Sequence, residues 1–246
     1  MRAAVFDSGV GGLTVVKSLI KSSIFSEIIY YGDTARVPYG NKDENTVIRY
    51  SLEVLEFFNN FDVDLMIVAC NSASAFALEE LRRKAKFNVY GVIEPGVLAV
   101  ENISIDYDEN ILIIGTNATI KSNLYQEMLK KRGYSNITAI PTPLLVPLVE
   151  EGIRDEKILN PVFEHYFKGL PKPKAVIMGC THFPLLKEEL ERYFADAILI
   201  HSGDAIVEYL KREKVAKNNN KKTELRLFAS ENVHRLKEVA HNWLST

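Results

Sequence analysis

The chain of 246 residues holds two cysteines, and each closes an apolar run. Cys70 ends the run in "LMIVACNSASA" and is followed by an amide and a hydroxyl, Asn71 and Ser72. Cys180 ends the run in "AVIMGCTHFP", 110 residues further on, and is followed by Thr181 and His182. A lone buried cysteine behaves as a small hydrophobe. Two cysteines that each end a strand, precede a helix and carry polar neighbours point instead to chemistry. Asn71 and Ser72 suit the N-cap of the helix after Cys70, and Pro184 suits the first turn of a helix over "PLLKEELERYF". A thiol at a helix start feels the positive end of the macrodipole, so its pKa, ordinarily about 8.5, is expected to fall toward neutrality.

Several chemistries use a thiolate. A cysteine hydrolase needs one thiol and an oriented base, and His182 could be that base, but the second cysteine is then idle. A redox pair more often reads Cys-x-x-Cys. A structural zinc site wants four close ligands, and two cysteines with five scattered histidines do not supply them; no metal is expected. Two thiols on opposite sides of a cleft suit one task well: taking a proton from one face of a carbon and returning one to the other. A non-catalytic amino-acid-binding protein is the third alternative, and it leaves the thiols unused.

The opening "FDSGVGG" imitates a dinucleotide fingerprint, with Gly9-x-Gly11 after a strand and Asp33 closing the next one. The third glycine is replaced by Thr14, and Asp7 would repel a pyrophosphate. The glycines read better as bringing backbone N–H groups to a small anion, with Asp7 as an ion partner or proton relay. The polar residues at strand ends are Asp7, Ser8, Asn71, Ser72, Thr116, Thr119, Thr181 and His182, with no lysine or arginine among them. Carboxylates would therefore be held by hydroxyls, amides and helix-terminal N–H groups, although any one Ser or Thr there is equally readable as a helix cap.

These positions need a frame. "AAVF", "EIIYYG", "LMIVA", "NVYGVI", "NILIIG", "AVIMG" and "AILIHS" read as strands buried on both faces. Amphipathic segments such as "LTVVKSLIKS", "TVIRYSLEVLEFFNNF" and "SAFALEELRRKA" alternate with them, which implies an α/β fold with parallel sheets. Ser8 and Thr116 follow strands 108 residues apart, close to the cysteine offset, so the chain reads as two related α/β halves. Ligands of such sheets sit beyond the carboxyl ends of the strands, where all four loops would gather. Residues 211–225, "KREKVAKNNNKKTEL", read as an exposed connection before a last strand, "TELRLFAS", and a helix.

Composition narrows the class. With 30 Lys and Arg against 32 Asp and Glu, the chain carries no electrostatic footprint for nucleic acid or an anionic membrane. The apolar run before Asp7 is too short for a signal peptide, and no stretch reaches the ~18 apolar residues of a spanning helix. Two cysteines make no disulfide scaffold, so a reducing cytoplasm is expected.

Taken together and in order, "FDSGVGGLTV", "YGDTARVPYG", "VACNSASA", "GVIEPG", "TPLLVPLVEEG" and "IMGCTHFPLL" resemble glutamate racemase across almost the whole chain. Aspartate and hydantoin racemases share the cysteine pair but not the full set. The resemblance implies cofactor-independent interconversion of L- and D-glutamate, supplying D-glutamate for peptidoglycan. By motif position it implies Cys70 acting on the D enantiomer, assisted by Asp7, and Cys180 acting on the L enantiomer, assisted by His182 and Glu150. Asp7, Ser8, Tyr39, Gly40, Asn71, Ser72, Thr116, Thr119, Thr181 and His182 are the expected substrate-binding residues. Ser72 stands where the family motif has threonine and keeps its hydroxyl. The chain starts directly at its first strand, without the extension linked in some members to activation by a cell-wall nucleotide precursor, so that activation is not expected. The fold implied is two similar doubly wound domains, residues 1–92 plus 206–246 and residues 93–205, with the active site in the cleft between them. A homodimer is also implied.

Overall fold

The computed structural model describes residues 1–215 and 222–245. The expected connection over residues 211–225 therefore falls partly outside the described residues. Its described flanks are mostly exposed.

In the first half of the chain, β1 (Arg2–Asp7), β2 (Glu27–Gly32), β3 (Leu65–Val68) and β4 (Asn88–Gly91) pair in parallel in the order β4-β3-β1-β2. In the second, β5 (Ile111–Gly115), β6 (Ile137–Pro141), β7 (Ala175–Gly179) and β8 (Ile198–His201) pair in parallel in the order β8-β7-β5-β6. The two orders are the same order. β1 matches β5, and β3, which leads to Cys70, matches β7, which leads to Cys180. The last strand, β9 (Glu224–Ala229), returns to the first sheet and pairs in parallel with β2. The structure is thus α/β with two parallel sheets, the fold class expected.

Both faces of each sheet are buried, which is why the strands read as unbroken apolar runs. Ala3 and Val5 enter one core with Leu13, Val16 and Ile28, while Ala4 and Phe6 enter another with Met66, Val68 and Phe58. Ile111 and Ile113 divide from Leu112 and Ile114 in the same way. The period of two along a pleated strand makes this division obligatory. β6 was not among the strands read from the sequence. It lies at a sheet edge, is only partly buried and ends in Pro141, so its composition carries a weak signal.

Two helices exchange partners. α1 (Leu13–Ser22) follows β1, α2 (Glu44–Phe58) follows β2, and two short helices, α3 (Asn71–Phe76) and α4 (Leu78–Lys84), follow Cys70. The single helix expected there is interrupted at Ala77. α5 (Ile93–Asn102) follows β4 of the first sheet, yet Ile93, Val97 and Val100 lie in a core of the second. The second half then places α6 (Asn117–Lys121) and α7 (Leu124–Lys131) after β5, and α8 (Leu145–Glu150) and α9 (Glu156–Phe167) after β6. A 3-10 turn over Phe183–Leu186 and α10 (Lys187–Phe194) follow Cys180. α11 (Ser202–Arg212) follows β8, but Ile206, Val207 and Leu210 pack in the first sheet's core. The last helix, α12 (Val233–Leu244), closes that core with Leu236 and Ala240. Crossing helices thus join the two lobes with the carboxyl ends of both sheets turned to a common cleft. Among the described residues no helix is long and apolar enough to cross a membrane.

Candidate active site

One narrow cleft is lined by Ser8, Tyr39, Gly40, Cys70, Asn71 and Ser72 from the first lobe and by Thr116, Cys180, Thr181 and His182 from the second. Ten of the expected residues are therefore brought to one surface. Asp7 and Thr119 are fully buried and stand behind that lining. Glu150 borders a neighbouring pocket with Arg235 and Asn232 and reaches the cleft only through His182. Among the described residues, no lysine or arginine lines the cleft.

Cys70 is itself the N-cap of α3, with extended dihedrals (φ −64°, ψ 121°). Asn71 and Ser72 do not cap the helix, as expected from the sequence, but lie in its first turn, which leaves their side chains free to cross to the other lobe. The Cys70 Sγ lies 3.5 Å from Ser8 Oγ. Burial, with the Asp7 charge adding to it, pushes the Cys70 thiol up to about 12, against hydrogen bonds from Ser8 and the Ala73 N–H. The expected fall toward neutrality is therefore corrected here. A helix of six residues offers little dipole, and the loss of solvation outweighs it. Asp7 is also raised by burial, against the charge of His182 and donors from Gly9, Gly12 and Thr181. Its Oδ2 accepts from the Gly9 N–H (3.0 Å) and its Oδ1 from Thr181 Oγ1 (3.2 Å).

Cys180 has different company. Its Sγ is 3.7 Å from His182 Nδ1, and His182 Nε2 is 2.9 Å from Glu150 Oε1. Burial alone would lower the imidazole, but hydrogen bonds to Cys180 and Glu150 and the charges on Cys180 and Asp7 carry it up to about 10. The ring is then an imidazolium at neutral pH, with Nε2–H donating to Glu150 and Nδ1–H offered to the sulfur. Glu150 is held below its ordinary range by that hydrogen bond, against partial burial. Gly11 permits the approach of the two lobes, because a Cβ there would strike the Thr181 hydroxyl and the His182 ring.

Ser72 and Thr116 line the cleft and form a hydroxyl cluster with Thr119 behind them. Ser72 Oγ lies 2.8 Å from Thr116 Oγ1 and 3.3 Å from Thr119 Oγ1, and the two threonine hydroxyls are 3.1 Å apart. Thr116 also caps α6 by accepting from the Thr119 N–H, so the capping and lining roles coexist. A Cβ at Gly40 would come within 2.5 Å of the Thr116 side chain, which ties that position to glycine. The Tyr39 hydroxyl is engaged elsewhere, donating to Asp33 Oδ2 at 2.5 Å. Asn71 is held from the second lobe: its Oδ1 accepts from the Tyr125 hydroxyl (2.8 Å), and its Nδ2 faces Ser202 Oγ (3.5 Å).

Sequence reasoning missed Tyr125 and Ser202 in this site, along with Pro38, Val146 and Gly179 in the lining. Ser202 was findable, since it follows the run "AILIH" as the other strand-end hydroxyls follow theirs. Tyr125 sits within an ordinary amphipathic helix and gives no such signal. Among the described residues there is no group of three or more His, Cys, Asp or Glu side chains that could hold a metal ion.

The family profile described as Asp/Glu/Hydantoin racemase matches residues 14–210. Glutamate racemase of a Nitratiruptor species is 59% identical over 245 residues, covering 99% of this chain and 96% of that protein. The crystal structure of glutamate racemase from Campylobacter jejuni subsp. jejuni is similar at a TM-score of 0.98 and 53% identity, covering 100% of this chain and 98% of that one. Glutamate racemase from Francisella tularensis subsp. tularensis, in complex with D-glutamate, is similar at a TM-score of 0.86 and 32% identity, covering 100% and 94%. With two thiols in matching strand-end loops and similarity along its full length, this chain belongs to the Asp/Glu/Hydantoin racemase family and is a racemase.

Proposed function

We propose that the enzyme interconverts L- and D-glutamate without a cofactor, by proton abstraction and return between two thiols. In the L-to-D direction the Cys180 sulfur, as thiolate, takes the α-proton; the C–H bond breaks as the S–H bond forms. Cys70, as thiol, gives its proton to the opposite face of the resulting carbanion. The reverse direction exchanges the roles. Asp7 assists Cys70, while His182 and Glu150 assist Cys180. Ser8, Tyr39, Gly40, Asn71, Ser72, Thr116, Thr119 and Thr181 form the substrate site, with Asp7 and His182 at its edges. The carboxylates meet hydroxyls, an amide and backbone N–H groups rather than lysine or arginine side chains.

The observation that carries this reading is the presence of both cysteines on one cleft, each with its own proton-handling partners. The line Cys180–His182–Glu150 is also the layout of a thiol hydrolase, but such an enzyme has no use for Cys70. The α-proton is far less acidic than a thiol. Register between base and proton can supply ~7 to 11 kcal/mol of the barrier, and donors aimed at the carboxylate as charge develops supply several more.

The product would serve peptidoglycan synthesis in the cytoplasm. The division of the chain into residues 1–92 plus 206–246 and residues 93–205 follows from the family resemblance, and a homodimer is the assembly we infer. Isotope incorporation tests the mechanism. With L-glutamate in heavy water, early D-glutamate should carry deuterium while recovered L-glutamate stays mostly protiated. Equal early labelling of both enantiomers means a single shared base and overturns the two-thiol scheme.

A further inference from the structure

Thr14 breaks the glycine fingerprint of the first loop, and the substrate site described above does not use it. It lies in the first turn of α1 and is 6% exposed. Its backbone N–H already donates to the Gly11 carbonyl (3.0 Å). Its hydroxyl is 3.0 Å from that same carbonyl but 2.7 Å from the carbonyl of Thr181, 167 residues away in the other lobe.

The reason that carbonyl is open lies in its own turn. Phe183 N–H donates to the Cys180 carbonyl (3.2 Å) and Leu185 N–H to the His182 carbonyl (3.1 Å). The donor that would serve Thr181 in the same i to i+3 pattern belongs to residue 184, which is proline and has no N–H. A buried carbonyl without a partner is costly, and here the partner comes from across the cleft. Thr181 answers with its own hydroxyl, which donates to Asp7 Oδ1 at 3.2 Å. The two bonds run in opposite directions between the first lobe, at Asp7 and the start of α1, and the turn that holds Cys180 and His182.

We propose that Thr14 is a positioning residue for racemisation: its hydroxyl, donated to the Thr181 carbonyl left open by Pro184, sets the registration of the two thiol half-sites. It acts through the Cys180–Thr181–His182 turn and touches no substrate. A displacement of about 1 Å between reacting groups can cost ~10²-fold in rate, so loss of this bond falls on turnover more than on substrate binding.

The test separates registration from simple satisfaction of the carbonyl. Thr14→Ser should keep kcat within about threefold, and Thr14→Val should lower kcat about 10- to 100-fold with KM within about threefold. Thr14→Val combined with Pro184→Ala supplies a local N–H for the carbonyl. Relative to Thr14→Val alone, the double variant should recover thermal stability, while relative to Pro184→Ala alone it should still show the 10- to 100-fold loss of kcat. Should Thr14→Val fail to fold, the double variant and Thr14→Ser decide. Turnover that survives in Thr14→Val, or returns in the double variant, overturns the proposal. The inference rests on the two-thiol reading, which isotope labelling of the unaltered enzyme tests by itself. Labelling as expected, together with unimpaired Thr14→Val, would remove the clasp and leave the mechanism standing.

Discussion

Cys70 and Cys180 end topologically equivalent strands, yet the groups around their sulfurs differ in kind. Beside Cys70 stand a hydroxyl, Ser8, and a buried carboxylate, Asp7, and burial holds the thiol up at about 12. Beside Cys180 stands an imidazole whose protonated form persists to about 10, anchored by Glu150. The first setting favours a sulfur that keeps its proton; the second sets a hydrogen-bonding, positively charged ring beside the sulfur. That difference has the sense the proposed L-to-D direction uses: a sulfur that holds its proton at Cys70, and a protonated imidazole beside the sulfur of Cys180. The two enantiomers have equal free energy, so kcat/KM must be equal in both directions whatever the site does. The asymmetry can appear only in separate kcat and KM values and in the thiols themselves. The repeated sheet provides two equivalent places for a thiol, and the loops make the places unequal.

The largest effects follow from removing either side of that pair. Cys70→Ser and Cys180→Ser should each lower racemisation about 10³-fold or more, since a positioned general base is worth about 10²–10⁴-fold and a hydroxyl is a poor base at neutral pH. The inequality itself is read by alkylation with iodoacetamide, followed site by site by peptide mass spectrometry. Cys180 should react faster than Cys70, and His182→Asn should slow Cys180 about tenfold or more while leaving Cys70 nearly unchanged. Equal rates in the unaltered enzyme would show that the imidazolium does not distinguish the sulfurs.

How far this asymmetry could be read from the sequence depends on the residue. Both thiols, the loop hydroxyls and the parallel sheets follow from apolar runs that end in polar residues, because a strand buried on both faces must expose its chemistry where it stops. Glu150 and Tyr39 came only through resemblance to the family motifs. What was not legible was three-dimensional. The Cys70 thiol lies at a helix start, so a local rule lowers its pKa, but the desolvation that raises it comes from neighbours distant in the chain. Asn71 and Ser72 look like caps because cap residues and cross-cleft contacts use the same side chains. The exchange of α5 and α11 between lobes leaves no local mark, since an amphipathic helix does not state which sheet it will cover.

An intermediate effect concerns pH. The His182 pKa is raised from its ordinary value of 6.5 to about 10 in the folded enzyme. Its contribution to stability is therefore fully present below about 6.5 and is lost as pH rises through about 10. Glu150 is shifted the other way, downward, so its share is present above the ordinary carboxylate range and lost as pH falls through its lowered value. Between these limits both members of the pair are charged. Glu150→Gln should lower Tm by about 2–4 °C there, what ~1 kcal/mol is worth in a chain of this size once the partial exposure of Glu150 is allowed for. The gap should close above about pH 10. A gap unchanged from pH 7 to 11, followed by differential scanning calorimetry, would place the effect of Glu150 outside the ion pair. The Cys70 thiol, raised to about 12, also loses its share of stability as pH climbs from about 9 toward 12, but that loss is common to the unaltered enzyme and Glu150→Gln and cancels from the gap.

The smallest effect lies in the hydroxyl cluster at the cleft. Ser72 Oγ is one corner of the hydroxyl triangle with Thr116 and Thr119. Ser72→Ala removes that corner, but the two threonines remain 3.1 Å apart and still hold each other. The loss is therefore one hydrogen bond of ordinary strength, about 1 kcal/mol, or about fivefold in kcat/KM for glutamate. Ser72→Thr keeps the oxygen and adds a methyl, and should stay within about twofold. Because Ser72 bonds to Thr116 and Thr119, while the sulfurs contact Ser8 and His182, neither variant should alter the ratio of Cys180 to Cys70 alkylation. A shift in that ratio would mean that the hydroxyl wall, and not only the His182 side, sets the difference between the two sulfurs.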